Sequence, residues 1–350
     1  MSIKKIIQRY DPTVPLAQAW TIPSSWYIDP DIAEVERKTV FSRSWQVAGR
    51  AEQLQTPGQY VTCDVAGEPV LIVRGTDGGL RGFFNVCRHH AAAVMTESCG
   101  KADQLQCPYH GWTYSLNGEL KSAPDLGAVV NFDRAAMGLI QVEVAIWERW
   151  IFTKLDPGDA LLESMTGLGI DHFQWFERRH YTLGCNWKVF VDNYLDGGYH
   201  VPHLHKTLDT VLDYADYKIE TGQRFCLQSS PVATGGQALY YWIYPNFMIN
   251  CYESAMDTNL VIPRGVDRTD VVFDFYFSDV SEAARGRNLA SVAGSDRTQQ
   301  EDTAICKSVQ RGLASRAYDA GRLSVRREAG EHLFHRLLYA DLCHGYENDK

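Results

Sequence analysis

Two short loops carry the residues whose types and spacing point most directly to chemistry. The first reads Asn85-Val86-Cys87-Arg88-His89-His90, the second Cys107-Pro108-Tyr109-His110-Gly111-Trp112. As spacing this is C-x-H, seventeen residues, then C-x-x-H. Two Cys and two His complete either of two metal centres. One is a tetrahedral zinc site. The other is a Rieske-type 2Fe–2S cluster, in which two histidines replace two cysteines on one iron. Spacing separates them. A structural zinc site usually starts with two cysteines two to four residues apart, which grip one ion from a single turn. Here each loop supplies one thiolate and one imidazole, so two loops can clamp a two-iron cluster from both sides. Cys87 and Cys107 then hold one iron, and His89 and His110 the other. Gly111 and the run Ala91-Ala92-Ala93 let backbone N–H groups approach the sulfurs. His90 adjoins His89 too closely to ligate the same cluster and is read as a neighbour. Cys99 lies between the pairs without a partner cysteine in the second loop, so no disulfide staple is expected. Gly111 also offers no hydroxyl to a cluster sulfur, which predicts a potential near the low end of the Rieske range, about −150 mV.

A second group runs from Asn186 to His205 and holds His200, His203 and His205, three of the eleven histidines. Asp196 precedes His200 by four, so on one continuous helix the two share a face. Gly197-Gly198 weakens that helix, and Pro202 is expected to end it. Two histidines and a carboxylate on one face of Fe(II), with the other positions open, is an oxygenase arrangement. His200 and His205 are the candidate nitrogens. His203 competes, because H-x-x-H is also a ligand spacing. Asp302 is the candidate carboxylate: it precedes Ile305, Val309 and Leu313 by three, seven and eleven residues, on a stripe read as buried. A carboxylate there is costly unless paired or metal-bound. Glu301 is the alternative.

The elements that must position these residues can be read around them. Asp29 or Asp31 can cap an N-terminal helix. Residues 45–155 read as short strands punctuated by Ala66-Gly67, Asp77-Gly78-Gly79 and Asn117-Gly118, and closed by a strand from Val142 to Phe152. That density of turns suggests a small antiparallel barrel or sandwich. After Asp156-Pro157-Gly158 the pattern becomes helical from Leu161 to Phe176 and again from Trp187 to Leu195. It returns to strands over 215–280, and is helical over 280–340. The expected division is an N-terminal segment 1–41 that packs on the catalytic domain, an all-β domain 42–155, and a catalytic domain 156–350. A chain of 350 residues with 45% hydrophobic residues can bury a large core without metals or disulfides. Its net charge of −9, with no basic run beyond Lys4-Lys5, argues against nucleic-acid binding. No stretch reaches the roughly 20 apolar residues that span a bilayer. The first ten residues lack a signal-like apolar run. Nine scattered cysteines suit a reduced, cytoplasmic protein.

Taken together, Cys87-Arg88-His89-His90, Cys107 to Trp112, and Asp192-Asn193-Tyr194-Leu195-Asp196 through His200 and His205 resemble the Rieske non-haem iron oxygenase α subunits. Pro245-Asn246-Phe247 and the stretch from Glu301-Asp302 to Leu313 are similar to the choline monooxygenase-like branch. The resemblance implies an α+β fold, with an all-β Rieske domain inserted in a helix-grip-like catalytic domain built on an antiparallel sheet. It implies a 2Fe–2S cluster and Fe(II), and a mono- or dioxygenase that hydroxylates or N-demethylates a small organic substrate with O₂. A quaternary or methylated amine is one such substrate; an aromatic or polycyclic compound is the alternative. It also implies a head-to-tail homotrimer, in which Asp196 bridges the iron ligand His200 and the cluster ligand His110 of a neighbouring subunit. Many members place two residues between this Asp and the first iron histidine; here there are three. Electrons then come from a separate NAD(P)H-dependent reductase, because the chain has no G-x-G-x-x-G fold and no plant-type four-cysteine motif. The pocket is expected among residues 200–260, with Tyr240, Tyr241, Trp242, Phe247 and Tyr252 able to cage a quaternary ammonium group. A pure electron carrier needs only about a hundred residues and gives His200, His205 and Asp302 no task. A zinc-bearing binding protein is colourless, whereas a Rieske protein is brown.

Overall fold

The computed structural model describes residues 2–161, 169–205, 216–233 and 235–347. It forms two compact units: Phe41–Gly167, and Met1–Val40 together with Leu168–Lys350. An all-β unit is thus inserted into an α+β unit.

The inserted unit holds β1 (Gln46–Arg50), β2 (Gln59–Val65), β3 (Glu68–Arg74), β4 (Leu80–Phe84), β5 (Cys99–Lys101), β6 (Leu105–Gln106), β7 (Thr113–Tyr114), β8 (Leu120–Ser122), β9 (Gln141–Trp147) and β10 (Trp150–Lys154). Seven strands pair in the order β1-β10-β9-β4-β3-β2-β5, and β6-β7-β8 form a small second sheet. Ala66 and Gly67 both take positive φ, 53° and 80°, the turn that matches strand twist in a two-residue hairpin. The strand expected from Val142 to Phe152 is in fact two strands, with Trp147 paired to Trp150. Its turn, Glu148-Arg149, contains none of the usual turn residues, and Glu148 is driven to φ 51°. Strand β3 is buried on both faces. Val70 and Ile72 pack with Val61, Val142 and Ile151. Leu71 and Val73 pack with Phe83, Trp112, Tyr114, Cys87 and Cys107. The second of these cores lies directly under the two Cys–His loops. The composition change at Asp156-Pro157-Gly158 lies inside this unit, because the N–H groups of Leu155 and Asp156 still donate to Ser42 O.

The other unit begins with α1 (Ile3–Ile7), α2 (Ser25–Ile28) and α3 (Pro30–Glu36). Asp29 caps α3 by accepting from the N–H of Asp31, and Pro30 occupies the first turn. Then come β11 (Gln174–Leu183), α4 (Trp187–Leu195), α5 (Val201–Leu204), β12 (Lys218–Thr221), β13 (Phe225–Pro231), β14 (Gln237–Ile243), β15 (Phe247–Cys251), β16 (Ala255–Pro263) and β17 (Thr269–Phe277). Two long helices close it, α6 (Glu282–Leu313) and α7 (Ala329–Glu347). The seven strands form one antiparallel sheet, β11-β17-β16-β15-β14-β13-β12. Of the helix expected from Leu161 to Phe176, residues 162–168 lie outside the described residues; Ile170–His172 form a single 3₁₀ turn, and Gln174 to Phe176 belong to β11, which pairs with β17. No helix among the described residues is long and apolar enough to cross a membrane.

Helix α4 is anchored from below. Lys188, on its first turn, is fully buried, and its Nζ lies 2.6 Å from Glu36 Oε1. Trp187 Nε1 donates to the other oxygen of Glu36 at 2.8 Å. Removing one partner of such a pair strands a buried charge, at a cost of about 3–5 kcal/mol. Asp192 accepts from Tyr27 Oη at 2.6 Å and lies 3.0 Å from His335 Nε2. The stripe expected to be buried on α6 is buried only at Leu313: Ile305 and Val309 are 38% and 43% exposed. The buried face runs through Val292, Gln299, Cys306 and Leu313. Asp302, three residues after Gln299 and four before Cys306, sits beside that face.

Candidate metal centres

The two Cys–His loops have the same backbone design. In the first, Ala91 N donates to Cys87 O at 3.0 Å and Cys87 N to Ala92 O at 2.8 Å. In the second, Gly111 N donates to Cys107 O at 3.1 Å and Cys107 N to Trp112 O at 2.8 Å. The fourth residue after each cysteine takes positive φ, 61° at Ala91 and 69° at Gly111. Each turn thus presents a buried thiol and, two or three residues later, an imidazole. The rings of His89 and His110 meet at 4.7 Å, and His89 stacks on Trp112 at 4.7 Å. Burial pushes the Cys107 thiol up, while the N–H groups of Tyr109 and His110 pull the other way. Burial, then the neighbouring imidazoles of His90 and His110, hold His89 below the usual histidine range, so the ring stays neutral, as a ligand must be. Its Nδ1 is buried without a hydrogen-bond partner among the described residues. An orphaned buried nitrogen beside two buried thiols is the donor set a Rieske cluster takes up. His90 is exposed.

Tyr114 was not anticipated from sequence. Its hydroxyl accepts from Arg88 N at 3.0 Å and lies 3.3 Å from Cys87 Sγ. With its lone pair engaged, the hydroxyl hydrogen is free to point at the sulfur. The expectation of a potential at the low end considered only the residue after His110, and this hydroxyl opposes it. Tyr114→Phe is expected to lower the cluster potential by about 40 mV, one hydrogen bond of about 1 kcal/mol in a one-electron couple. A redox titration followed by visible absorbance checks it; an unchanged midpoint removes this role.

The second centre depends on a break in the chain. Helix α4 stops at Leu195, and Gly197 and Gly198 take φ 65° and 68°. A Cβ on Gly197 would come within 2.2 Å of Arg327 O. The segment is therefore not one helix ended by Pro202. Pro202 lies in the first turn of α5, a position that suits its missing N–H. Asp196 still reaches His200, through this turn: its Oδ2 accepts from His200 N at 3.0 Å and lies 2.5 Å from Nδ1. On the far side of α5, His205 is 2% exposed. Glu301 Oε2 lies 2.6 Å from His205 Nδ1, and Asp302 Oδ1 lies 3.0 Å from His205 Nε2. The two Nε2 atoms are 3.2 Å apart, and His200 Nε2 is 3.8 Å from Asp302 Oδ1. Asn193 Nδ2 donates to the same Asp302 oxygen at 3.0 Å. Two imidazole nitrogens and one carboxylate oxygen thus converge, a set able to hold Fe(II). Burial opposes protonation of His205, but Asp302 and then Glu301 outweigh it and raise its pKa. His203 is exposed and does not join the group.

This group opens into a cavity of about 550 Å³. One face of the large sheet forms much of its wall. Gln228, Tyr240, Asn250, Asp257 and Phe275 are successive cross-strand partners along β13 to β17, and all of them line the cavity. Tyr252 joins them, edge-on to Tyr240 at 6.0 Å. Three expected pocket residues do not: Tyr241, next to Tyr240 on β14, pairs with Ile249 and faces the other way, and Trp242 and Phe247 also lie outside. Trp242 shares the face of Tyr240 but lies farther along it, where it is covered by Phe334 and donates to Pro245 O. Phe247 pairs with Ile243, on the opposite face from Asn250. Phe273, Phe275 and Phe277 of the cavity wall were missed. Their i, i+2, i+4 spacing on β17 was the available signal.

The family models agree with both centres. The Rieske [2Fe-2S] domain matches residues 44–133, and the ring hydroxylating alpha subunit (catalytic domain) matches 170–230 and 217–343. Chloroplastic choline monooxygenase of Arabidopsis thaliana is 38% identical over 97% of this chain and 87% of its own length. The carnitine monooxygenase oxygenase subunit of Escherichia coli (strain K12) is 29% identical over 92% and 93%. A crystal structure of a quaternary ammonium Rieske monooxygenase with its substrate L-carnitine superposes with a TM-score of 0.83, at 28% identity over 93% of this chain and 96% of that one. With a Rieske-type loop pair in one unit and a two-histidine, one-carboxylate group in the other, the chain belongs to the Rieske non-haem iron oxygenase α subunits, which use a 2Fe–2S cluster, a mononuclear iron, O₂ and a separate reductase to oxidise a small molecule.

Proposed function

We propose that this oxygenase hydroxylates or N-demethylates a quaternary or methylated amine. The observation that carries the reading is the cavity at His200, His205 and Asp302, walled by the rings of Tyr240, Tyr252, Phe273, Phe275 and Phe277. Aromatic faces attract ammonium methyl groups, by about 2 kcal/mol or more when water is excluded. The relatives named for choline and carnitine oxidation support it.

In this reading Cys87, His89, Cys107 and His110 hold the cluster, and His200, His205 and Asp302 hold Fe(II). Bound there, the two centres supply electron storage and O₂ activation. The protein's own part is orientation. Asp196 and Glu301 each sit on the Nδ1 side of one histidine. Accepting that proton fixes the tautomer and turns both Nε2 lone pairs inward. A head-to-tail homotrimer belongs to the same proposal, with Asp196 joining His200 to His110 of a neighbouring subunit. So does a cytoplasmic location, which the nine unpaired cysteines favour, although the plant relatives are chloroplastic.

The test is turnover of the purified protein with a compatible reductase, NAD(P)H and O₂ on choline, glycine betaine, carnitine and naphthalene. Product from a methylated ammonium compound, coupled to NAD(P)H consumption, is expected. Product from naphthalene alone overturns the substrate class.

A further inference from the structure

The cavity holds one carboxylate with no part in the metal group. Asp257 lies on β16, between Asn250 of β15 and Phe275 of β17 in register. It lines the cavity and is 8% exposed. Asn250 Nδ2 donates to its Oδ1 at 2.7 Å, and Asn259 Nδ2 to the same oxygen at 2.9 Å. Asn250 is oriented in turn by Tyr194 Oη, 2.7 Å from its own Oδ1. Among the described residues nothing donates to Asp257 Oδ2, and no Lys, Arg or His pairs with the group. Burial pushes its pKa up to about 6, against the two amides, which pull it down.

A purely structural role explains this poorly. Tying β15 to β16 through amide donors needs one acceptor oxygen, which asparagine or serine supplies without charge. An ionised carboxylate with one oxygen unmet in a low-dielectric cavity is destabilising unless a cation completes it. Here the network is built the other way. Two amides and a tyrosine lock one oxygen in place and leave the second unpaired in a cavity wall that also carries the rings of Tyr240, Tyr252 and Phe275.

We infer that Asp257 is the charge-reading residue of the substrate site, where its free oxygen takes the positive charge of an ammonium group while Tyr240, Tyr252 and Phe275 take the methyl faces. This rests on the methylated-amine reading above and narrows it: selection is for charge, not for a trimethyl shape. A quaternary nitrogen has no hydrogen to donate, so the contact is Coulombic. It therefore discriminates strongly against an uncharged carbon isostere of equal volume.

Calorimetric titration of the iron- and cluster-loaded protein with choline and with its neutral isostere 3,3-dimethylbutan-1-ol tests it. The wild type is expected to prefer choline by about thirtyfold or more, the equivalent of roughly 2 kcal/mol for one partner of a buried charge contact. Asp257→Asn keeps the amide-accepting oxygen and the volume. It should lower the preference for choline by about tenfold or more, to what the aromatic faces alone give, with the isostere's affinity changed by no more than about threefold. Asp257→Glu, which keeps the charge, should retain a preference for choline and guards against a folding defect in the Asn variant. A wild type that favours choline, with Asp257→Asn favouring it equally, overturns the role of Asp257 alone. A wild type that favours the isostere overturns the amine reading and this inference together.

Discussion

His200→Ala, His205→Ala and Asp302→Ala are each expected to leave the protein brown but empty of mononuclear iron, with product formation at background. The three atoms involved lie within 4.8 Å of one another, and a three-ligand site has no spare donor to cover a loss. The cluster loops belong to a separately packed unit with its own core, so their visible absorbance persists. Neighbouring substitutions grade the result. Glu301→Gln leaves the three converging atoms in place but weakens the hold on His205 Nδ1. A loss of about 10- to 100-fold in iron affinity or activity is expected from such an outer contact. His203→Ala, at an exposed position, should behave as wild type. Iron per chain, the visible spectrum and product yield are the measurements. An empty site in His203→Ala with a full one in His205→Ala would exchange the ligand assignment.

The cluster loops were readable in the sequence because all that defines them is local. Four ligand residues of two types, two tight turns and the small residues that allow them fall within 25 consecutive positions, 87–111. The group of two histidines and a carboxylate was partly readable: His200 and His205 are near neighbours, but Asp302 arrives from a helix about a hundred residues on. It was found with a faulty argument. Ile305 and Val309 suggested a buried stripe, yet both face outward, and the buried stripe is offset by about one residue. Periodicity reveals that a helix has an apolar side, but not which of two adjacent stripes meets the core when small and polar residues such as Gln299 are buried. The cavity was least readable. Its wall is a row of cross-strand partners from five strands, and only register says that Gln228, Tyr240, Asn250 and Asp257 meet. Trp242 and Phe247 look equally suitable as aromatics; pleat and position along the strand exclude them. The β9–β10 turn escaped because Glu148-Arg149 carries no turn signal, and is enforced by pairing on both sides.

Asp196→Asn is expected to keep both metal centres, and a cluster that reduces normally, while product formation collapses. The side chain does two things at once. It holds the turn after α4, accepting from Tyr199 N at 3.1 Å through Oδ1 and from His200 N at 3.0 Å through Oδ2. It also meets His200 Nδ1 at 2.5 Å. Asparagine fits the same turn and keeps one acceptor, so the break at Gly197-Gly198 survives and His200 stays near its place. What it loses is the negative charge and the second acceptor oxygen. If Asp196 only shaped the turn, that loss would be mild, because the backbone bond to one neighbour remains and the turn is also set by two glycines at positive φ. If Asp196 couples His200 to His110 of a neighbouring subunit, one acceptor cannot serve both imidazoles, and the path between the centres is cut. A single turnover begun with pre-reduced cluster separates the two cases. The bridging role requires that cluster reoxidation, on adding O₂ and substrate, slow far below the wild-type rate while iron content stays constant. Reoxidation at the wild-type rate in Asp196→Asn would reduce this residue to a shaper of the turn.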